Sequence, residues 1–211
     1  MINELEKLII SGSVEEILAH TPVFVEAFPI IERMVGFNQE NWSHPYELWE
    51  HCVRACSYLN DSITEPSVIL RWAAIFHDIG KVETKTKSFS EKHNSIQAHY
   101  YGHPAKSREM LENTDLPFCK NDRDRELFLW FVEHHDDRIS ERPKHLRPFL
   151  DVPRNQFKQL MALEVADGKA HLRGAEIIEK RINVCEFWQD DANIQEALLQ
   201  LNETTPQSSF G

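Results

Sequence analysis

The sequence predicts an all-α fold of one compact domain, and three observations carry that reading. Apolar residues recur at spacings of three and four along the chain, glycine is scarce at 7 of 211 residues, and no alternating β-branched run is closed by Asn-Gly or Asp-Gly. A chain of 211 residues holds one good core and is cramped for two. The domain is therefore assigned to residues 1–202 and a flexible C-terminal tail to residues 203–211, which carry the closing run TTPQSSFG. No internal repeat, heptad run or low-complexity linker interrupts it.

Each element has its own signal. Leu5, Leu8 and Ile9 mark a first amphipathic helix, Ser13 three residues before Glu16 is the capping-box pattern that opens a second, and Thr21-Pro22 opens a third. A helix over residues 45–60 has Pro45 in its first turn and Leu48, Cys52, Cys56 and Leu59 on one stripe, with His51 beside that stripe. Residues 66–78 are apolar nearly all round, as in a helix buried among others, and Gly80 supplies its stop. Residues 81–101 are polar and aperiodic and read as a long loop. Helices resume over 104–113, 122–137 and 154–172. A last long helix over 175–201 puts Ile178, Ile182, Cys185 and Trp188 on one side, to pack on its own core or on a partner's, so the chain is a monomer or a homodimer.

Composition excludes several function classes. With 23 Lys and Arg against 34 Asp and Glu, the formal charge of −11 opposes broad capture of nucleic-acid backbones and leaves only a local basic pocket open. No run approaches the ~20 apolar residues of a membrane span, and the start MINELEKLII lacks the basic and apolar regions of a cleavable leader, so a cytoplasmic location is expected. Cys52, Cys56, Cys119 and Cys185 form no CxxC pair and are read as reduced structural thiols.

Chemistry concentrates on His77-Asp78, at the end of the buried apolar helix within AAIFHDIGK. An ionised carboxylate there costs several kcal/mol unless a counter-ion or metal compensates it. His51 lies beside the stripe of the preceding helix, and Asp167 shares a face with Leu160, Leu163 and Ala170. Two His and two Asp make a mixed nitrogen and oxygen shell suited to Mn, Fe, Co, Ni or Zn, with Mg also open, and not to Ca. His103 in HYYGHPAKS and His135 in LWFVEHHDD stand ready to support that shell or to hold a second ion. His134 is read as a helix-wall residue, and His20, His93, His145 and His171 as structural. The five Trp, Trp42 among them, are assigned to core packing, and the DDRIS and DDAN clusters to solvent at helix ends, with Asp136 kept in view for its place beside His135.

These motifs resemble the HD superfamily, whose pattern runs His, His-Asp, further His, then Asp. The segments GFNQENWSHPYELWEHC, RWAAIFHDIGKVETK, HYYGHPAKS, FVEHHDD and ALEVADGKA are similar, in order and spacing, to the HD domain attached to bacterial tRNA nucleotidyltransferases, over residues 20–175. The resemblance implies an HD-type helical domain, metal ligation by His51, His77, Asp78 and Asp167, and one or two ions. It places His103 and His135 toward the substrate phosphate or a second ion. It also matches His44 and His99 to histidines flanking the site and Lys81 to the lysine after the His-Asp-x-Gly turn, where a cation can steady phosphate charge. Two positions depart from the family: Pro104 stands where Glu is common, and Cys52 where a hydroxyl residue is common. No Gly-rich turn with a following carboxylate pair is present, so nucleotide addition to tRNA is not expected.

The resulting expectation is phosphoester hydrolysis by metal-activated water, with Asp78, Lys81, His103 and His135 as catalytic groups and His44, Lys81, His99 and His103 against the substrate. The resemblance favours a nucleotide or an RNA-end phosphate, of the phosphatase or 2′,3′-cyclic phosphodiesterase type. The His-Asp-x-Gly-Lys turn is unlike guanosine tetraphosphate hydrolases, and no GYP motif marks a cyclic-dinucleotide enzyme. A small deoxynucleotidase and a non-catalytic nucleotide or metal sensor are the alternatives.

Overall fold

Short side-chain caps decide where the helices begin. In a computed structural model, which describes residues 1–171 and 176–204, Ser13 and Glu16 form the reciprocal capping box that opens α2 (Val14–Ala19), after α1 (Ile2–Ser11) and before α3 (Thr21–Ala27). Ser67 Oγ accepts the Leu70 N–H at 3.2 Å to open α5 (Val68–Phe76). The helix expected from residue 45 starts instead at Leu48: α4 (Leu48–Tyr58) is capped by the Glu47 carboxylate, which accepts the N–H groups of Trp49 and Glu50, and Pro45 lies outside it.

The apolar all-round character of α5 makes it the central element, packed against α4, α8 (Asp122–His134) and α9 (Arg154–Lys169). Trp72 stacks on Phe118 with centroids 4.5 Å apart, and Phe28 meets Phe76 edge-on at 5.4 Å. Burying each such ring contributes about 2–3 kcal/mol. Cys52, Cys56 and Cys185 are buried small side chains, as expected of structural thiols. Among the described residues no helix is long and apolar enough to cross a membrane.

Three further expectations need correction. Residues 81–101 are not a loop: a one-turn helix, α6 (Lys81–Thr84), leads into an antiparallel hairpin of β1 (Thr86–Ser90) and β2 (Ser95–His99), registered Ser88 to Gln97. Its turn is closed by Asn94 at φ 46°, a conformation Asn tolerates better than most residues; β1 is largely exposed and β2 buries the neighbours Gln97 and Ala98, so neither shows the apolar alternation that identifies a strand. Gly80 is not a left-handed helix stop. It is right-handed, and a Cβ there would lie 2.3 Å from the His103 carbonyl oxygen of α7 (His103–Glu112), so the glycine permits a close backbone approach. The long C-terminal helix is two, α10 (Glu176–Phe187) and α11 (Asp191–Thr204), because the Asp190 carboxylate accepts the Ala192 N–H and Asn193 Nδ2 donates to the Phe187 carbonyl. Thr204 in α11 is two residues into the expected tail; residues 205–211 lie outside the described residues.

Candidate metal centre

Three helices deliver four ligand-type side chains to one point. His51 comes from the second turn of α4, His77 and Asp78 from the end of α5, and Asp167 from the last turn of α9. His51 Nε2 lies 2.9 Å from Asp167 Oδ1 and 3.3 Å from Asp78 Oδ2, and His77 Nε2 lies 3.3 Å from Asp78 Oδ2. All four side chains are buried, with one ligand atom from each within 4.8 Å of the others. A second group shares Asp78: His103 Nε2 is 3.0 Å and His135 Nε2 3.4 Å from Asp78 Oδ1.

The backbone sets the tautomers of three of these imidazoles. His77 Nδ1–H donates to the Ala74 carbonyl at 2.8 Å, His103 to Tyr100 at 2.9 Å and His135 to Val132 at 2.7 Å, each three residues back. Each ring thus turns its Nε2 lone pair inward. The Nε2 atoms of His103 and His135 are 3.1 Å apart, an approach of two lone pairs that only a proton or a cation stabilises. His77 Nε2 and both oxygens of Asp78 are buried with no directed hydrogen bond. Burial opposes the charge on Asp78, yet Lys81 and His77 beside it hold its carboxyl well below the usual range; Asp167 is held low in the same way by His171 and His51. Acceptor-rich, buried and lacking directed partners, this donor set fits a divalent cation.

Around the centre lies a cavity of about 310 Å³ lined by Asp78, Lys81, His103, His135 and Asp167, and by His44, His99 and His171. Lys81 Nζ sits 2.6 Å from Asp78 Oδ2, 3.0 Å from Gln39 Oε1 and 3.1 Å from His44 Nε2. His99 stands apart from the cluster, on the cavity rim, with its Nε2 2.8 Å from Ser88 Oγ. His134 pairs with Asp137 at 2.6 Å and does not line the cavity.

Some site residues escaped the sequence reading. His171, read as structural, lines the cavity with Nε2 3.0 Å from His44 Nε2, and its position four residues after Asp167 was the available signal. Burial lowers the pKa of His171 to about 4 and holds His44 low as well, so both are neutral. Asp136, assigned to solvent, accepts Arg181 Nη1 at 2.7 Å. Arg181 also donates to the His135 carbonyl at 2.8 Å and meets Glu164 Oε2 at 3.2 Å, which ties α10 to the site. Glu164 is a lone acid in the apolar run LMALEVA, a pattern that marks a buried acid. Trp42, assigned to the core, is 41% exposed and stacks on His93 at 4.6 Å.

Residues 41–182, most of the chain, match the family described as HD domain. The chain belongs to the HD domain family. A comparison with curated proteins finds no match. With its buried His/Asp cluster, this HD domain is an enzyme of the metal-dependent phosphohydrolase type.

Burial pushes the Glu164 carboxyl of this HD domain up from 4.5 to about 8. Between those values the folded chain keeps a proton the unfolded chain has released. The stability tied to this proton is full below pH 4.5 and declines as pH rises through 8, at up to about 1.4 kcal/mol per pH unit. Glu164→Gln is expected to lack that slope. Urea unfolding of both proteins from pH 5 to 8.5 checks it, and parallel stability profiles contradict it.

Proposed function

We propose that this HD domain hydrolyses phosphoesters of nucleotides or RNA ends, as a phosphatase or 2′,3′-cyclic phosphodiesterase. The observation that carries the reading is the pair of His/Asp groups joined at Asp78 and opening on a cavity with Lys81 at its floor, in a chain whose net charge is −11. Such a pocket attracts a small anion where the whole surface repels a long one. The similarity of the five motif segments to the HD domain of bacterial tRNA nucleotidyltransferases supports the same substrate class.

His51, His77, Asp78 and Asp167 would hold one divalent ion, and Asp78, His103 and His135 a second. A bound ion of this kind acidifies water at neutral pH and neutralises phosphate charge. The inward lone pairs of His103 and His135 favour cation binding over direct donation to phosphate. Lys81 Nζ donates to a phosphate oxygen entering the cavity, with His44 and Gln39 holding it in place. Arg181 keeps His135 in position by gripping the carbonyl of that residue.

Stripping the protein with a chelator and reloading it with Mn, Co, Ni, Zn, Fe or Mg tests the reading. Phosphate release or ring opening is expected from mononucleotides, 2′,3′-cyclic nucleotides or phosphate-ended RNA, lost on stripping and restored on reloading. No hydrolysis with any of these ions would move the assignment to a nucleotide or metal sensor.

A further inference from the structure

The tyrosines of HYYGH part company. Tyr100 turns inward and its hydroxyl donates to the Gln39 carbonyl, whereas Tyr101 stands 79% exposed. Tyr101 is more exposed than Phe89 at 60% or Trp42 at 41%, and of these three only Tyr101 lines the metal cavity. Its place is built: β2 ends at His99, and Gly102, at φ 75° with open space where a Cβ would be, turns the chain into α7 so that His103 reaches the metal centre two residues later. The ring of Tyr101 lies nearly parallel to that of His99, 7° between planes and 5.6 Å between centroids, while Ser88 Oγ holds His99 from behind at 2.8 Å. One face of Tyr101 is therefore backed by a fixed ring, and no other aromatic contact to it is found among the described residues.

An exposed aromatic ring backed by a second ring on the lining of a polar cavity is a surface on which a flat ligand can stack. Close by, Arg138 is exposed on the cavity lining with no ion pair among the described residues, unlike Lys81 and Arg181, which are held by carboxylates. A flat ring, an unpaired cation and a cation-binding floor in one cavity match the base and the phosphate of a nucleotide. We propose that Tyr101, backed by His99, is a stacking platform for the substrate's nucleobase, and that Arg138 meets its phosphate. This rests on the phosphoester reading of the same cavity and makes the base a recognised part of the substrate.

The test is equilibrium titration of the metal-free protein with adenosine 5′-monophosphate and ribose 5-phosphate, followed by hydrolysis of both by the metal-loaded enzyme. Tyr101→Ala is expected to weaken binding of the nucleotide about tenfold, the size of one lost base stack, and to leave ribose 5-phosphate unaffected. Tyr101→Phe should restore it, and Phe89→Ala, exposed but outside the cavity, should bind as the unaltered protein does. Equal nucleotide affinity in Tyr101→Ala and the unaltered protein overturns the platform, as does equal affinity for the two ligands. Tyr101-dependent binding without hydrolysis by any loaded form would instead remove the catalytic reading and leave the platform standing.

Discussion

Asp78→Asn is expected to lower turnover by about three orders of magnitude or more and to empty the centre of metal. Asp78 is the one side chain common to both ligand groups: Oδ2 faces His51 and His77, and Oδ1 faces His103 and His135. The amide keeps the shape but loses the charge, and its NH2 can donate to an inward Nε2 lone pair that the cation would otherwise take. A metal ion contributes several kcal/mol of transition-state stabilisation, and about 1.4 kcal/mol is tenfold in rate. The fold should survive, because the amide can donate to an imidazole nitrogen, and Lys81 retains Gln39 and His44. Metal content by elemental analysis, rate, and far-ultraviolet circular dichroism give the answer together. A helical variant that keeps both its metal and its rate refutes the centre described above.

The order of the helices and the convergence of His51, His77, Asp78 and Asp167 were legible because buried helices advertise themselves: a polar residue on an apolar stripe stands out against its neighbours. The all-helical class was legible for the same reason, whereas the HD type rested on the resemblance of the motif segments to that superfamily. The hairpin was not, since Thr86 to Ser90 is mostly exposed and shows no two-residue alternation. Gly80 was misread because a glycine that ends a helix and one that lets two backbones meet look alike until the partner helix is placed. Arg181 was invisible for a different cause. It sits on a half-exposed helix, and only the tertiary packing of α10 on α9 brings it to Asp136, Glu164 and His135. Its partner Glu164 did carry a signal, one acid inside an apolar run, that periodicity alone does not convert into a contact.

Gly80→Ala should destabilise the domain by about 3 kcal/mol or more and damage the metal centre in whatever remains folded. The added Cβ would meet the His103 carbonyl oxygen at 2.3 Å, Ser107 N at 2.6 Å and Ser107 Oγ at 2.8 Å. Two of those atoms are backbone in the first two turns of α7, which no rotamer change can move aside, and the Gly80 N–H to Ser107 Oγ bond at 2.8 Å would be pushed apart with them. The backbone of Gly80 is already right-handed at φ −61°, so alanine carries no dihedral penalty and the loss is steric. Because His103 opens α7, any shift of that turn carries the imidazole away from Asp78, and the rate falls with the stability. Gly168→Ala supplies the contrast. Its Cβ meets side-chain atoms only, Ile182 Cγ1 at 2.8 Å and Cδ1 at 3.2 Å, so a small shift of one isoleucine on α10 offsets part of the about 1 kcal/mol the helix gains from alanine. The expected net change there is within about 1 kcal/mol of zero. Denaturant unfolding of the two variants side by side decides it: equal losses would mean that the close approach of α7 to the His77-Asp78 turn does not hold the site together.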